Sequence, residues 1–165
     1  MIPLHDDNPT SSIPVVTIAL IAACSGIFLV QFTAEPQAAM ELVYRFGTIP
    51  AVLLGDAELP DALGALPAWA TVFSSMFLHG GWLHLLGNML YLWLFGNNVE
   101  DAMGHGRFIV FYLVCGILAI LAHGIAEPAS EIPTIGASGS ISGVLGAYLV
   151  LHPRSRALVL IFLGF

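Results

Sequence analysis

The sequence predicts an all-α, polytopic membrane protein, and three observations predict it. Apolar residues make up 58% of the 165-residue chain and charged residues only 9%, where a soluble globular domain carries about 25% charged residues. Mean hydropathy is +0.89. The charges sit between long uncharged runs at 11–34, 62–99, 108–126, 132–153 and from Ala157 onward. Four basic and 11 acidic side chains cannot cover a soluble protein of this size, which excludes a soluble enzyme and a disordered chain. So few Lys and Arg, with a net charge of -7, exclude a nucleic-acid binder as well.

A helix needs about 20 apolar residues to cross a bilayer. Residues 1–12 form a polar tail, and 13–165 a membrane domain with spans near 14–32, 82–98, 108–125 and 138–151. These are four complete transmembrane helices, and the start of a fifth follows at Ala157. In the first span, Ile21-Ala22-Ala23-Cys24 resembles a lipoprotein cleavage box. The stretch before it has no Lys or Arg, carries Asp6 and Asp7, and the apolar run continues to Phe32, so Cys24 reads as a buried helical cysteine. Cys115 reads the same way. Pro67 and His79-Gly80-Gly81 interrupt the run from 62 to 99, which makes its first part an interfacial segment with Trp69 and Trp82 at headgroup level.

Charge sets the orientation. The loop after the second span holds Arg107, and the loop after the fourth holds Arg154 and Arg156. The loops after the first and third spans hold Glu35, Glu41, Asp56, Glu58, Asp61, Glu127 and Glu131 against Arg45 alone. The positive-inside rule puts the arginine loops and the N-terminus in the cytoplasm, and the acidic 33–80 segment outside. The apolar run from Ala157 covers about 13 Å of a roughly 30 Å core. A chain end there leaves its carboxylate and last carbonyls unsatisfied in lipid, so a continuation past Phe165 is expected.

Polar residues inside apolar spans are functional candidates. His84 and Asn88, at i and i+4 of the second span, project from one face and donate hydrogen bonds without a fixed charge. Glue between helices is the plainer use of such a pair. In the segment Gly136-Ala137-Ser138-Gly139-Ser140-Ile141-Ser142-Gly143, Pro133 discourages helix just upstream. The helix then starts near Ser138 and runs about 14 residues, roughly 21 Å, too short to span. Its N-terminus is submerged, at a depth where irregular backbone needs protein or a water-filled cavity around it. Free N–H groups and the helix dipole there favour developing negative charge beside Ser138. Gly139, Gly143 and Ala147 form a smooth stripe on which another helix can pack. The remaining histidines, His5, His79, His105, His123 and His152, read as tail, loop or interface residues. Of these only His123 is level with Ser138.

Three stretches in this order resemble the rhomboid intramembrane serine proteases, over about 69–156. They are Phe77-Leu78-His79-Gly80-Gly81-Trp82-Leu83-His84-Leu85-Leu86-Gly87-Asn88-Met89, then Phe95-Gly96-Asn97-Asn98-Val99-Glu100-Asp101, then Gly136-Ala137-Ser138-Gly139. The resemblance implies a rhomboid-like helical bundle in which Ser138 is the nucleophile. His84 and Asn88 are then the oxyanion-hole side chains, with Gly136, Gly139 and Gly143 supporting them. It implies cleavage of transmembrane or juxtamembrane segments of other membrane proteins, without metal or cofactor and with no role for nucleic acid. The expected location is a bacterial inner membrane, as a multi-pass protein with its N-terminus in the cytoplasm. In the family the general base is a His on a sixth span, which has no counterpart in this sequence. The Gly139–Gly143–Ala147 stripe is therefore expected to be an unoccupied docking face, and the 165 residues alone to be inactive, since an unassisted Ser is a weak nucleophile. Ser142 stands where some members carry an aromatic residue, and Trp69 is followed by Ala70 where a Trp-Arg pair is common. The alternative reading is a non-catalytic rhomboid-like protein that binds transmembrane clients.

Overall fold

The computed structural model describes residues 2–55, 57–60, 63–64, 66–155 and 157–160. Asp56, Asp61 and Arg156, three of the charges used for orientation, lie outside the described residues, as does the apolar stretch 161–165. Helices build the molecule: α1 Val15–Thr33, α2 Pro36–Phe46, α3 Pro50–Leu53, α4 Ala68–Ser74, α5 Trp82–Tyr91, α6 Asn97–Met103, α7 His105–Ala126 and α8 Ser138–Leu151. A 3₁₀ turn, Ser75–Phe77, extends α4, and a π-helical turn, Leu92–Gly96, joins α5 to α6 in one continuous helical stretch.

The first and third expected spans are α1 and α7, both long and apolar enough to cross a membrane. They are apolar all round, as lipid-facing helices are, with Leu29, Val30, Val110 and Leu118 exposed. The second span runs farther than its apolar run, to Met103, where Gly104 at φ +78 turns the chain into α7. The fourth begins at Ser138 and ends at Leu151, as the sequence predicts.

Among the described residues the start of a fifth helix is not found. Ala157–Leu160 is a strand, β2, paired antiparallel with β1, Ile2–Asp6, in the register Ile2↔Leu160 to Asp6↔Ala157. Helix nucleation fixes several residues for its first hydrogen bond. A short segment beside a free edge satisfies its backbone sooner by pairing with it. Apart from a bridge between Thr48 and Thr134, the remaining regular structure among the described residues is helical.

The larger of two apolar clusters joins α1, α5, α6, α7 and α8, and a smaller one around Val72, Met76 and Ile120 joins α4 and its 3₁₀ turn to α7. Leu20, Cys24 and Phe28 of α1, Leu85 and Met89 of α5, Leu92 and Phe95 of the π turn, Val99 of α6, Phe108 and Tyr112 of α7, and Ile141, Val144 and Tyr148 of α8 are among the buried members of the larger one. Trp82 packs edge-on against Phe28 and Phe32 at ring-centroid distances of 4.9 and 5.2 Å, which fixes the start of α5 against α1. At the opposite end Glu100, fully buried, accepts the backbone N–H groups of Val16 and Thr17 at 2.8 and 2.7 Å. Its carboxylate also meets His105 Nδ1 at 2.6 Å. The first turn of α1 has no side-chain cap of its own, so a carboxylate from α6 supplies one.

Candidate active site

The segment before α8 is held from two sides. Thr48 and Thr134 form an isolated antiparallel bridge, exchanging N–H···O bonds of 3.1 and 2.7 Å. The Gly136 N–H donates to the Ser75 carbonyl at 2.8 Å. Thr48 Oγ1 donates to Ser75 Oγ at 3.1 Å, and Ser74 Oγ to the Phe46 carbonyl at 2.6 Å. The hydroxyls tie the end of α2 and Thr48 to the end of α4, and the backbone bonds tie both to residues 134–136, and so set where Ser138 emerges.

His84 and Asn88 converge on this segment from α5. A Cβ added at Gly136 would stand 2.6 Å from His84 Nε2 and 3.8 Å from Asn88 Nδ2. Gly136 also has φ +119, in the left-handed region that side chains disfavour. Both the space and the backbone therefore require glycine there. Asn88 is buried, and its Nδ2 has no hydrogen-bond partner among the described residues. His84 accepts the Gly80 N–H at Nδ1, 3.3 Å away. Its other nitrogen is the one against Gly136.

Three serines lie within five residues and face three different surroundings. Ser140 is buried, with its hydroxyl on Met76 Sδ at 3.8 Å. Ser142 is exposed and donates back to the Ser138 carbonyl at 2.8 Å. Ser138 is exposed at the first position of α8. The first bond of that helix runs from the Ile141 N–H to the Ala137 carbonyl, so the amides of 138–140 have no intrahelical acceptor. Ser138 also borders a cavity of about 220 Å³ whose wall includes His123, Thr134, Gly136 and Gly139. His123, read as level with Ser138, shares that cavity with it.

The expected docking face requires correction. The Gly139–Gly143–Ala147 stripe is not left unoccupied, since α7 lies on its two glycines. A Cβ at Gly139 would stand 2.5 Å from the Cβ of Ala119, and one at Gly143 would overlap Cys115. The uncovered face is rotated from it and runs through Ser138, Ser142, Gly146 and Leu149, with open space around Gly146. Periodicity identifies residues that share a face but not the neighbour that fills it, and two small-residue stripes at the same spacing compete for that role.

Another histidine belongs to the site. His79, read as a loop residue, is 2% exposed and lies edge-to-face with the His84 ring at 5.1 Å. Burial, and then the neighbouring His84 ring, hold the His79 imidazole down at about 4. The signal in the sequence was the five-residue spacing of two histidines around Gly80-Gly81, a tight corner that returns the first ring onto the second. Glu100 was visible only as part of a motif.

The family model of the rhomboid domain matches residues 67–165. The chain is 38% identical over 104 residues to Rhomboid protease GluP of Bacillus subtilis, covering 63% of this chain and 20% of that protein. It is 32% identical over 124 residues to the putative rhomboid protease YdcA of the same organism, covering 74% and 62%. To the mitochondrial Rhomboid protein 1 of Saccharomyces cerevisiae it is 28% identical over 179 residues, covering 94% and 51%. It thus spans from a fifth to about three fifths of the length of these relatives. The match takes in α4 through α8, with Gly136, Ser138 and the two donors of α5, and the chain belongs to the rhomboid family of integral membrane proteins.

Proposed function

We propose that the protein is an intramembrane serine endopeptidase that cleaves transmembrane or juxtamembrane segments of other membrane proteins. Ser138 is its nucleophile, and His84 with Asn88 donates to the oxyanion. The observation that carries this reading is the convergence of His84 Nε2 and Asn88 Nδ2 on the backbone of Gly136, two residues before an exposed serine at a helix start. Donors placed in advance where an oxyanion develops are worth about 10²–10³ in rate each. The unpaired Asn88 amide supports the reading too, because a buried donor without a partner costs about 1–3 kcal/mol and is repaid only when an acceptor arrives. The His84–Gly80 bond leaves the nitrogen nearest Gly136 free for that acceptor.

A serine hydroxyl still needs a base. In this reading the base is carried by an element that covers the open face through Ser138, Ser142 and Gly146. The domain crosses the membrane with the α1 start, the α6–α7 turn and the end of α8 on the cytoplasmic side of a bacterial inner membrane. Support comes from the tail: Asn8 accepts from Ser155 Oγ at 2.8 Å, and Ser11 Oγ reaches Asp101 at 3.0 Å. The tail, the α6–α7 turn and the loop after α8 thus share one end of the bundle, as the distribution of arginines requires.

The test is cleavage of a co-expressed membrane substrate by the complete gene product. Ser138→Ala is expected to abolish it with expression unchanged, and residual cleavage at the same site contradicts the proposal. A protein that only binds transmembrane clients is indifferent to this substitution.

A further inference from the structure

The corner before α5 holds two imidazoles in contact, and their hydrogen bonds are of opposite kinds. His79 Nδ1 faces the Phe77 carbonyl at 3.3 Å. A carbonyl only accepts, so this nitrogen carries the proton and Nε2 is bare. His84 Nδ1 faces the Gly80 N–H at 3.3 Å. An amide N–H only donates, so here Nδ1 is bare and the neutral ring carries its proton on Nε2, the atom nearest Gly136. The two rings meet edge-to-face, 5.1 Å between centroids, so neither can turn over without displacing the other.

The corner is anchored from α1. Gln31 of α1 is 7% exposed, and its Oε1 accepts the backbone N–H of His79 at 3.2 Å. A buried amide oxygen is thereby satisfied, and the chain at His79 and Gly80 is fixed relative to α1. Trp82, packed on Phe28 and Phe32, closes the other side of the same turn. The His84 tautomer thus depends on a backbone position that α1 sets.

We propose that Gln31 and His79 are positioning residues for His84, holding it through the Gly80 amide as the Nε2–H tautomer that can donate beside Gly136. The inference rests on His84 being the oxyanion donor and extends that reading to α1. Partners that orient a functional histidine from behind typically change its performance ten- to a hundredfold when lost.

The test is nitrogen-15 NMR of the histidine-labelled complete gene product in lipid nanodiscs at neutral pH, with kinetics alongside. The expected result is a pair of neighbouring rings in opposite tautomers, His79 protonated at Nδ1 and His84 at Nε2. Gln31→Met, which keeps the volume and removes the acceptor, is expected to lower kcat about tenfold with KM unchanged and to make His84 a mixture of tautomers. Gln31→Glu, which keeps an acceptor oxygen, is expected to restore kcat. A wild-type His84 protonated at Nδ1, or a Gln31→Met protein with unchanged kcat, overturns the inference. If Gln31→Met does not fold, the wild-type tautomers decide alone. Ser138→Ala and His84→Ala run in the same assay: cleavage that survives them overturns the protease reading itself. Their loss of activity beside an active Gln31→Met protein overturns only the role of Gln31.

Discussion

Gly136 is where a single methyl group should do the most damage. Its φ of +119 and the 2.6 Å between an added Cβ and His84 Nε2 leave no room for alanine without moving the histidine. Gly136→Ala is therefore expected to lower kcat about 10²–10³-fold, the effect of losing one oxyanion donor, while the protein still folds. Thermal unfolding in detergent measured beside the cleavage rate checks this. Thr33→Ala is the control, because an exposed hydroxyl bonded to its own helix away from Ser138 is expected to alter the rate by no more than about twofold. His79 makes a prediction about pH. Its imidazole is held at about 4 against an unfolded value near 6.5, so below pH 6.5 the unfolded chain binds the proton first. Stability is then expected to fall as pH drops from about 6.5 to about 4, and His79→Asn to flatten that slope in denaturation curves. A slope unchanged in His79→Asn contradicts the assignment.

Two elements show how far local pattern reaches. The start of α8 at Ser138 was legible because Pro133 discourages helix just upstream, and because the distance to His152-Pro153 limits its length. The face of that helix taken by α7 was not legible, since Gly139/Gly143 and Ser142/Gly146 are equally small and only tertiary packing chooses between them. The π turn at Leu92–Gly96 also left no mark in the apolar periodicity. It brings Gly96 against Thr17 of α1, where an added Cβ would lie 3.2 Å from Oγ1. The cap that Glu100 provides for α1 spans 84 residues of sequence, beyond the reach of any local signal. Glu100→Ala is expected to destabilise the protein by about 1–3 kcal/mol for each amide left without an acceptor, seen as a lower unfolding midpoint. Asp101, the next residue, is held down at about 2, first by the Ser12 hydroxyl and then by the Ser11 amide. The docked tail is thus expected to stay in place through the ordinary carboxylate range and to release only as pH falls toward about 2. Hydrogen exchange at the Ser11 and Ser12 amides reports the release, and exchange that accelerates already near pH 5 contradicts it.

At the scale of the whole molecule, the two ends of the bundle have different work. One gathers the tail, the α6–α7 turn and the loop after α8 through Asp101, Glu100 and Asn8. The other gathers the 47–49 segment, the end of α4 and residues 134–136 around Ser138. The membrane class was legible from composition alone, because few charges and long apolar runs leave no soluble solution. The link between the outer segments and the serine was not, as it rests on backbone bonds between Thr48 and Thr134 and between Gly136 and Ser75, and on hydroxyls of Thr48, Ser74 and Ser75 that look like ordinary loop polarity. Everything proposed for this site depends on Ser138 as the nucleophile. The most direct test of that role is covalent: the complete gene product in nanodiscs is treated with a fluorophosphonate, and the modified residue is located by peptide mass spectrometry. A single phosphonyl group is expected on Ser138, absent in Ser138→Ala. A label on Ser140 or Ser142, or a protein that cleaves its substrate and takes no label, contradicts it.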